Sequence, residues 1–191
     1  MTTPEQNAVA AAARAADLVA ARAGARPTIA SIWQALARVP DPEIPVVSIV
    51  ELGIVRDVAW QDERLRVTVT PTYSGCPATE LIAKDIGEAL RNAGVAEFEV
   101  ATALSPAWTT DWIAPEGKAK LAAFGIAPPG PAPVRIDVKG ISVLRRPREA
   151  IACPRCGSTR TALLAQFGST ACKALYRCEE CREPFDHFKP F

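Results

Sequence analysis

The strand-to-helix junction near the middle of the chain reads Thr70-Pro71-Thr72-Tyr73-Ser74-Gly75-Cys76-Pro77-Ala78-Thr79-Glu80-Leu81. Before it, apolar residues at every second position of 65–69 predict a strand; after it, apolar residues at helical spacing predict a helix over 78–90. Ser74-Gly75 supplies a tight turn, and Pro77 suits the first helical position, where no amide hydrogen is needed. The pattern therefore predicts a strand, a short loop and a helix, with Cys76 at about the N-cap.

The position of Cys76 allows two interpretations. Free backbone N–H groups and the positive end of the helix dipole favour the thiolate, the form that attacks electrophiles and binds metals. A free cysteine is also a small apolar side chain that commonly fills a buried corner between a strand and a helix. Both interpretations stay open, because the exposure of the side chain decides between them.

The composition indicates a cytoplasmic protein with one full domain and a smaller one. The 191 residues are 49% hydrophobic and 23% charged, as is ordinary for a globular protein, and the net charge of +1 attracts neither nucleic acid nor an anionic membrane. No apolar run approaches the ~20 residues that a membrane span requires. Residues 1–24 lack the pattern of a signal peptide, so the six cysteines favour metal or thiol chemistry over disulfides.

Breaks in the pattern divide the chain into four predicted segments. They are a frayed or marginally helical tail at 1–27, an α+β domain at 28–127, a proline-rich linker and basic connector at 128–150, and a small all-β zinc ribbon at 151–191. Within the connector, a strand is expected at 136–143.

The predicted α+β domain contains a small mixed three-stranded sheet with packed helices. Strands are expected at 54–60, at 65–69 and at 98–104, and the helix between the last two implies a parallel crossover. A helix that begins at Thr28 and ends at Pro40 precedes the sheet, and a helix over 115–124 follows it.

An acidic turn, Asp41-Pro42-Glu43-Ile44-Pro45, lies between the first helix and the sheet. Its two prolines favour a stiff, extended backbone. Asp41 and Glu43 are candidate metal ligands, although acidic residues beside proline turns are more often solvated or capping groups.

Two Cys-x2-Cys pairs lie in the last segment, at Cys153 and Cys156 and at Cys178 and Cys181. Two such knuckles place four thiolates tetrahedrally around one Zn²⁺, and four protein ligands close the site, so the zinc is expected to be structural. A module this small cannot bury enough apolar area alone, so the metal supplies much of its folding energy. Iron, as a rubredoxin-like centre or a cluster, suits the same spacing, although zinc is the usual occupant.

The remaining residues of the ribbon are expected to form strands around 162–167, 174–176 and 185–188. Cys172, beside Lys173, is either a buried strand residue or a spare thiol, and we favour the buried interpretation. His187 is the only histidine, which argues against a Ser-His-Asp relay or a facial metal triad within this chain.

Four motifs of the α+β domain resemble the MIP18-like family, once called domain of unknown function 59. They are Trp33-x2-Leu36, Asp41-Pro42-Glu43-Ile44-Pro45, Glu51-Leu52-Gly53-Ile54-Val55 and Thr70-x5-Cys76-Pro77. Members of that family serve iron–sulfur cluster assembly or maturation, and the loop cysteine is associated with that role. The resemblance implies that Cys76 is a transient iron or iron–sulfur ligand, supported by a pocket of Asp41, Glu43, Thr70 and Thr79.

The ribbon carries a more specific resemblance. The runs Phe167-Gly168-Ser169-Thr170-Ala171-Cys172-Lys173-Ala174-Leu175-Tyr176-Arg177-Cys178 and Glu183-Pro184-Phe185-Asp186 are similar to those of the D-subunit family of phenylacetyl-CoA 1,2-epoxidases. These are multicomponent di-iron monooxygenases of aerobic phenylacetate breakdown. The resemblance, over about residues 28–191, implies a non-catalytic accessory subunit that assists iron–sulfur cluster or iron-centre maturation of the oxygenase or the reductase.

The expected cofactors and partners follow from this resemblance. One structural zinc ion per chain and a transient iron–sulfur cluster are implied, and the oxygenase and reductase subunits are the implied partners. One thiol cannot fill the coordination of a cluster, so a second copy of the chain, a small thiol or a client protein must contribute.

Two other functions compete with this interpretation. A zinc-ribbon scaffold would dock partner proteins, or nucleic acid, without delivering metal, and the near-neutral charge argues against nucleic acid. An enzyme with Cys76 as its nucleophile would need a nearby base, which the sequence does not supply.

Overall fold

The computed structural model describes residues 26–130, 134–138, 141–145 and 150–191, with backbone alone for the two middle ranges. Most of the predicted tail and parts of the predicted linker and connector, 131–133, 139–140 and 146–149, lie outside the described residues. The described helices are α1 (Ile29–Leu36), α2 (Ala78–Asn92) and α3 (Pro115–Phe124), with a short 3₁₀ helix at Thr110–Trp112. The strands are β1 (Val55–Gln61), β2 (Arg64–Val69), β3 (Phe98–Thr102), β4 (Ile126–Ala127), β5 (Val134–Val138), β6 (Ile141–Arg145), β7 (Thr161–Ala165), β8 (Lys173–Cys178) and β9 (Pro184–Phe188).

The first sheet has the order β1-β2-β3 and is mixed, as predicted. β1 and β2 form an antiparallel hairpin, and β2 runs parallel to β3 with α2 connecting them. Leu65, Val67 and Val69 of β2 are buried and alternate with more exposed residues, which is the period-2 pattern of the sequence. The prediction that the third strand reaches Leu104 is wrong: β3 ends at Thr102, and Leu104 is 61% exposed, so no burial requires the strand to continue.

The helices α1 and α3 have the ends that their sequences favour, with one exception. The Oγ1 of Thr28 accepts a hydrogen bond from the Ser31 amide at 3.1 Å, and α3 ends at Gly125, whose φ is 94°. α1 ends at Leu36, before Pro40, because the chain turns there to begin the acidic turn. None of the helices in the described part of the chain has the length and hydropathy that a bilayer crossing requires.

The second sheet contains the predicted ribbon strands and one unpredicted strand. Its order is β4-β9-β8-β7, in which β7, β8 and β9 pair antiparallel. β4, directly after α3, pairs parallel with β9, so the ribbon sheet includes two residues from the predicted α+β domain. The prediction of one strand at 136–143 is wrong: β5 and β6 are two antiparallel strands, and the sequence between them contains Gly140, a residue that favours turns.

The ribbon packs into the core of the first domain. Cys172 and Phe188, 3% and 1% exposed, belong to the same buried cluster as Leu36 and Leu65. The Trp108 ring lies against the Phe188 ring at a centroid distance of 5.9 Å. The two predicted domains therefore share apolar core, which positions side chains of the ribbon beside the acidic turn.

Candidate metal sites

The four knuckle cysteines converge at the end of β8. The Sγ of Cys153 lies 3.7 Å from that of Cys181, and the Sγ of Cys156 lies 3.5 Å from that of Cys178. All four sulfurs lie within 4.8 Å of one another. Four sulfurs bound at about 2.3 Å around a tetrahedral ion lie about 3.8 Å apart, so the spacing fits one ion. The group is a metal-ion site built from thiols alone.

The two knuckles have the same type of backbone turn. In the first, the Gly157 amide donates to the Cys153 carbonyl oxygen at 2.9 Å, and Gly157 has a φ of 74°. In the second, Arg182 occupies the equivalent position with a φ of 66°. The backbone amide of Cys181 donates to the sulfur of Cys178 and lowers the pKa of Cys178 to about 7, whereas burial and hydrogen bonds to the neighbouring thiols raise the pKa of Cys181 to about 12. Cys178 is therefore the thiol of the group that most readily forms the thiolate that a metal binds.

Cys76 lies half-buried in the loop between β2 and α2. The helix begins at Ala78 with Pro77 at its N-cap, so Cys76 is one residue further from the helix than predicted. Its backbone belongs to a turn instead: its amide donates to the Tyr73 carbonyl oxygen at 3.3 Å, and its carbonyl oxygen accepts from the Thr79 hydroxyl at 2.8 Å. The pKa of Tyr73 is raised to about 12, mainly by burial and secondly by the nearby Cys76. The phenol therefore stays protonated beside this thiol.

The acidic turn is held by Asp41, whose side chain is nearly buried. Its Oδ1 accepts hydrogen bonds from the amides of Glu43 at 3.0 Å and Ile44 at 2.8 Å, so the capping interpretation of this residue is confirmed. Burial raises the pKa of Asp41; burial and the neighbouring charge of Asp41 raise the pKa of Glu43. Two carboxyl groups thus face the same region with an increased tendency to hold a proton.

The ribbon adds a second thiol, which sequence reasoning did not assign to this region. Cys172 is buried, as expected, and its Sγ lies 3.9 Å from the Oε2 of Glu43 and 3.0 Å from the Oγ1 of Thr170. Burial raises the pKa of Cys172 to about 11. The adjacent Lys173 is also buried and lies 3.6 Å from a carboxylate oxygen of Asp186. The available signal was indirect: a ribbon this small has little core of its own, so a buried cysteine and lysine imply a second surface.

Cys76, Cys172, Asp41 and Glu43 line one cavity between the ribbon and the first domain. Its volume is about 20 Å³, which is room for about one water-sized group. The rest of the wall is largely apolar, with Ile44, Leu52, Ile54, Pro71, Ile82 and Phe188. We call this cavity the two-thiol pocket.

The other two predicted pocket residues lie outside this wall. Thr70 is buried, and its amide donates to the Ile54 carbonyl oxygen at 2.8 Å, which ties the end of β2 to the start of β1. The Thr79 hydroxyl contacts the Cys76 backbone, as described above, and so holds the loop from the helix side. Both residues position the loop through backbone contacts.

Two family models match the chain. One describes an iron–sulfur cluster assembly protein and covers residues 29–104, and the other describes a PaaD zinc beta ribbon domain and covers residues 139–189. The two matches define a protein in which a domain of the iron–sulfur cluster assembly family is joined to a zinc-type ribbon. A protein of Escherichia coli (strain K12), provisionally named the D subunit of 1,2-phenylacetyl-CoA epoxidase, is 47% identical over 86% of this chain and 94% of that protein. The chain belongs to this family of phenylacetyl-CoA epoxidase D subunits.

Two further proteins are similar to part of the chain. The Fe-S protein maturation auxiliary factor YitW of Bacillus subtilis (strain 168) is 39% identical over 42% of this chain and 80% of that protein. The crystal structure of the domain of unknown function DUF59 from Bacillus anthracis shares 33% identity, covers 47% of this chain and 87% of that chain, and has a TM-score of 0.44.

Proposed function

We propose that this chain is an accessory subunit of the phenylacetyl-CoA epoxidase system that assists maturation of an iron or iron–sulfur centre in the oxygenase or the reductase. The observation that carries the proposal is the position of Cys76, half-buried on the wall of the pocket that Asp41 and Glu43 also line. Similarity to the D subunit and to an iron–sulfur maturation factor supports it. The chain itself catalyses no step of the epoxidation.

The pocket has the ligand chemistry that iron requires. Thiolate sulfur is a soft ligand and carboxylate oxygen is a hard one, and iron, between the two extremes, accepts both. Cys76 and Glu43 are half-buried, whereas Asp41 is nearly buried and already accepts two backbone hydrogen bonds. Cys76 and Glu43 are therefore the ligands through which cargo would enter and leave, and Asp41 holds the turn that presents Glu43.

The four-cysteine site has a different role in this proposal. We assign it one zinc ion, because the sulfur spacing fits a tetrahedral site and four protein ligands leave no open position for chemistry. The ion braces the ribbon, which in turn covers the two-thiol pocket with Cys172 and Phe188. Both sites need reduced thiols, so we propose that the protein acts in the cytoplasm.

A co-production experiment tests the maturation role. The oxygenase and reductase subunits would be produced with the wild-type chain, with the Cys76→Ser variant, with the exposed-loop control Ser74→Ala, and without the chain. Each subunit is then purified anaerobically, and its iron, acid-labile sulfide and flavin are measured. We expect low iron in one subunit with Cys76→Ser and without the chain, at normal flavin, and full iron with Ser74→Ala. Full iron in both subunits with Cys76→Ser would contradict the proposal.

A second candidate, a scaffold that docks a partner protein without delivering metal, is favoured by one surface. Leu163, Leu164 and Phe167 are 44%, 54% and 66% exposed, and β7 lies at the edge of the ribbon sheet. Replacement of all three residues by serine would weaken capture of the epoxidase subunits if docking is the function. Under that candidate, Cys76→Ser would leave both capture and iron loading intact, which separates the two functions.

A further inference from the structure

The two-thiol pocket brings together two thiols of the same chain, one from each predicted domain. We propose that Cys76 and Cys172, together with the carboxylate of Glu43, bind a single thiophilic divalent cation of the iron(II) class as cargo. This inference deepens the proposed function, on which it rests for the identity of the cargo, because it names the second thiol ligand and the number of metal ions. A second copy of the chain is then not needed to supply that thiol.

The ligand set suits a cation between the soft and hard extremes. The Sγ of Cys172 lies 3.9 Å from the Oε2 of Glu43, and Cys76 lines the same cavity. Two sulfurs and one carboxylate oxygen occupy three coordination positions of the ion, so a fourth ligand would come from water or from a client protein. When the cation binds, the thiol protons leave to solvent and two metal–sulfur bonds form, with no change of oxidation state.

The ligand atoms of the two-thiol pocket lie less close together than those of the knuckle site. Among the described residues, the knuckle cysteines form the group whose ligand atoms all lie within 4.8 Å of one another. The proposal requires Cys76, Cys172 and Glu43 to turn their side chains toward the ion by rotation about side-chain bonds. An arrangement that closes only around its ion holds that ion less tightly than a preformed site, which is what transfer requires.

The size of the pocket favours one ion over a cluster. About 20 Å³ accommodates roughly one water-sized group, whereas a cluster contains at least two irons and two sulfides. The apolar wall, including Ile82 and Phe188, leaves little space for expansion without separation of the ribbon from the first domain.

The polar groups in this interface also need a reason. An interface that only joined two domains would often be at least as stable with apolar side chains at Glu43 and Cys172, because burial of Asp41, Glu43 and Cys172 together carries a desolvation cost and only Asp41 has a structural role, as the cap of the acidic turn. Lys173 offsets part of that cost for the two carboxylates. Binding of a cation by Glu43 and both thiols would explain why these groups are buried despite the remaining desolvation cost.

Cobalt(II) is a suitable probe, because its thiolate charge-transfer absorption grows with the number of cobalt–sulfur bonds. The full chain, with its four-cysteine site filled by zinc, is titrated anaerobically with cobalt(II), and zinc and cobalt per chain are measured. We expect one cobalt per wild-type chain with zinc retained. Cys76→Ser and Cys172→Ala should each weaken binding by more than about tenfold, since even outer-shell partners contribute that much, and should halve the charge-transfer intensity. Glu43→Gln should weaken binding with the intensity kept, and Glu80→Gln, an exposed carboxylate on α2, should bind as wild type.

Three results would overturn the inference. They are a wild-type chain that binds no cobalt beyond the zinc site, a Cys172→Ala variant with wild-type affinity and intensity, and reconstitution that yields two or more irons with sulfide per chain. If Cys172→Ala does not fold, Cys76→Ser still counts the thiols, because half of the charge-transfer intensity should remain with two thiolate ligands and none with one. Glu43→Gln against Glu80→Gln then tests the carboxylate, because Glu43 is half-buried on the other domain. If Cys172→Ala binds as wild type while Cys76→Ser still abolishes iron loading of the client, the second ligand is wrong and the maturation role stands.

Discussion

The thiol of Cys172 lies 3.9 Å from the carboxylate of Glu43, although 129 positions separate the two residues along the chain. Glu43 belongs to the acidic turn after α1, and Cys172 directly precedes β8 of the ribbon. The contact exists because the ribbon buries Phe188 in the core of the first domain. A shared core predicts that the two parts unfold together, and the next two measurements test this.

The aromatic contact at Phe188 should couple the two parts. Phe188 is 1% exposed, and replacement of a buried phenylalanine by alanine costs about 3–5 kcal/mol. We expect Phe188→Ala to lower the free energy of unfolding by that amount, and in wild type both parts should unfold in one transition by far-ultraviolet and tryptophan signals. The matched control is Phe124→Ala on α3, where the side chain is 56% exposed and the change should stay within about 0.5 kcal/mol. A small effect of Phe188→Ala would mean that the ribbon is not docked.

Removal of the metal from the knuckle site should loosen the first domain as well as the ribbon. Structural thiolate sites supply folding energy to small modules, so chelation should destabilise β8 and β9 and release Phe188 from Trp108. Hydrogen exchange is the measurement: peptides that contain Leu52, whose carbonyl oxygen accepts from the Trp108 Nε1 at 3.0 Å, should exchange faster after chelation. Unchanged exchange in these peptides, with the ribbon unfolded, would show that the two parts are independent.

Gly53 should tolerate no larger residue. Its φ is 67°, and a methyl group there would come within 2.6 Å of the carbonyl oxygen of Trp112. Gly53→Ala is therefore expected to cost about 2–4 kcal/mol, from the left-handed backbone and the steric clash together. Gly94→Ala isolates the first effect, because Gly94 has a φ of 84° with open space around it, and should cost about 1–2 kcal/mol. Equal losses of unfolding free energy in the two variants would show that the clash with Trp112 costs nothing beyond the left-handed backbone.

Replacement of the arginine of the second knuckle by glycine should stabilise the metal-bound protein. Arg182 has a φ of 66°, the left-handed region that Gly157 occupies at the equivalent position of the first knuckle. Arg182→Gly should raise the stability of the metal-bound protein by up to about 1 kcal/mol, and Gly157→Ala should lower it by about 1–2 kcal/mol. Thermal melts in the presence of excess zinc measure both. A lower melting temperature for Arg182→Gly would mean that the arginine side chain makes a stabilising contact.

His187 should make the fold sensitive to mild acid. Its Nδ1 lies 3.3 Å from the Ala127 carbonyl oxygen, and burial lowers the pKa of His187 below its ordinary value of 6.5. In the window between the two pKa values the unfolded chain binds more protons, so stability falls as the pH drops through about 6.5 and the loss ends below the folded pKa. His187→Gln should lose less unfolding free energy than wild type between about pH 7.5 and pH 5.5 in denaturant titrations. Identical losses in both proteins would assign the acid sensitivity to other groups.

Much of the local structure could be predicted from the sequence. The alternation around Leu65, the Thr28 cap and the glycine stop of α3 each depend on neighbouring residues, and the structure confirms them. The errors have two different causes. β4 is two residues long, too short for any periodicity, whereas at β3 the alternation continues to Leu104 beyond the strand, because alternation does not show which residues are buried.

The sequence by itself determined the order of α1 to α3, of the first-sheet strands β1 to β3 and of the ribbon strands β7 to β9, together with the two knuckles and the loop that carries Cys76. Periodicity, capping and Cys-x2-Cys spacing act over a few residues, so they can be read along the chain. Only the tertiary structure decided that Cys172 faces Glu43, that β4 joins β9 and that one cavity holds both thiols. These contacts depend on how two incomplete apolar cores pack against each other. Burial of apolar area is non-directional, so residues that meet from distant segments have no fixed spacing along the chain.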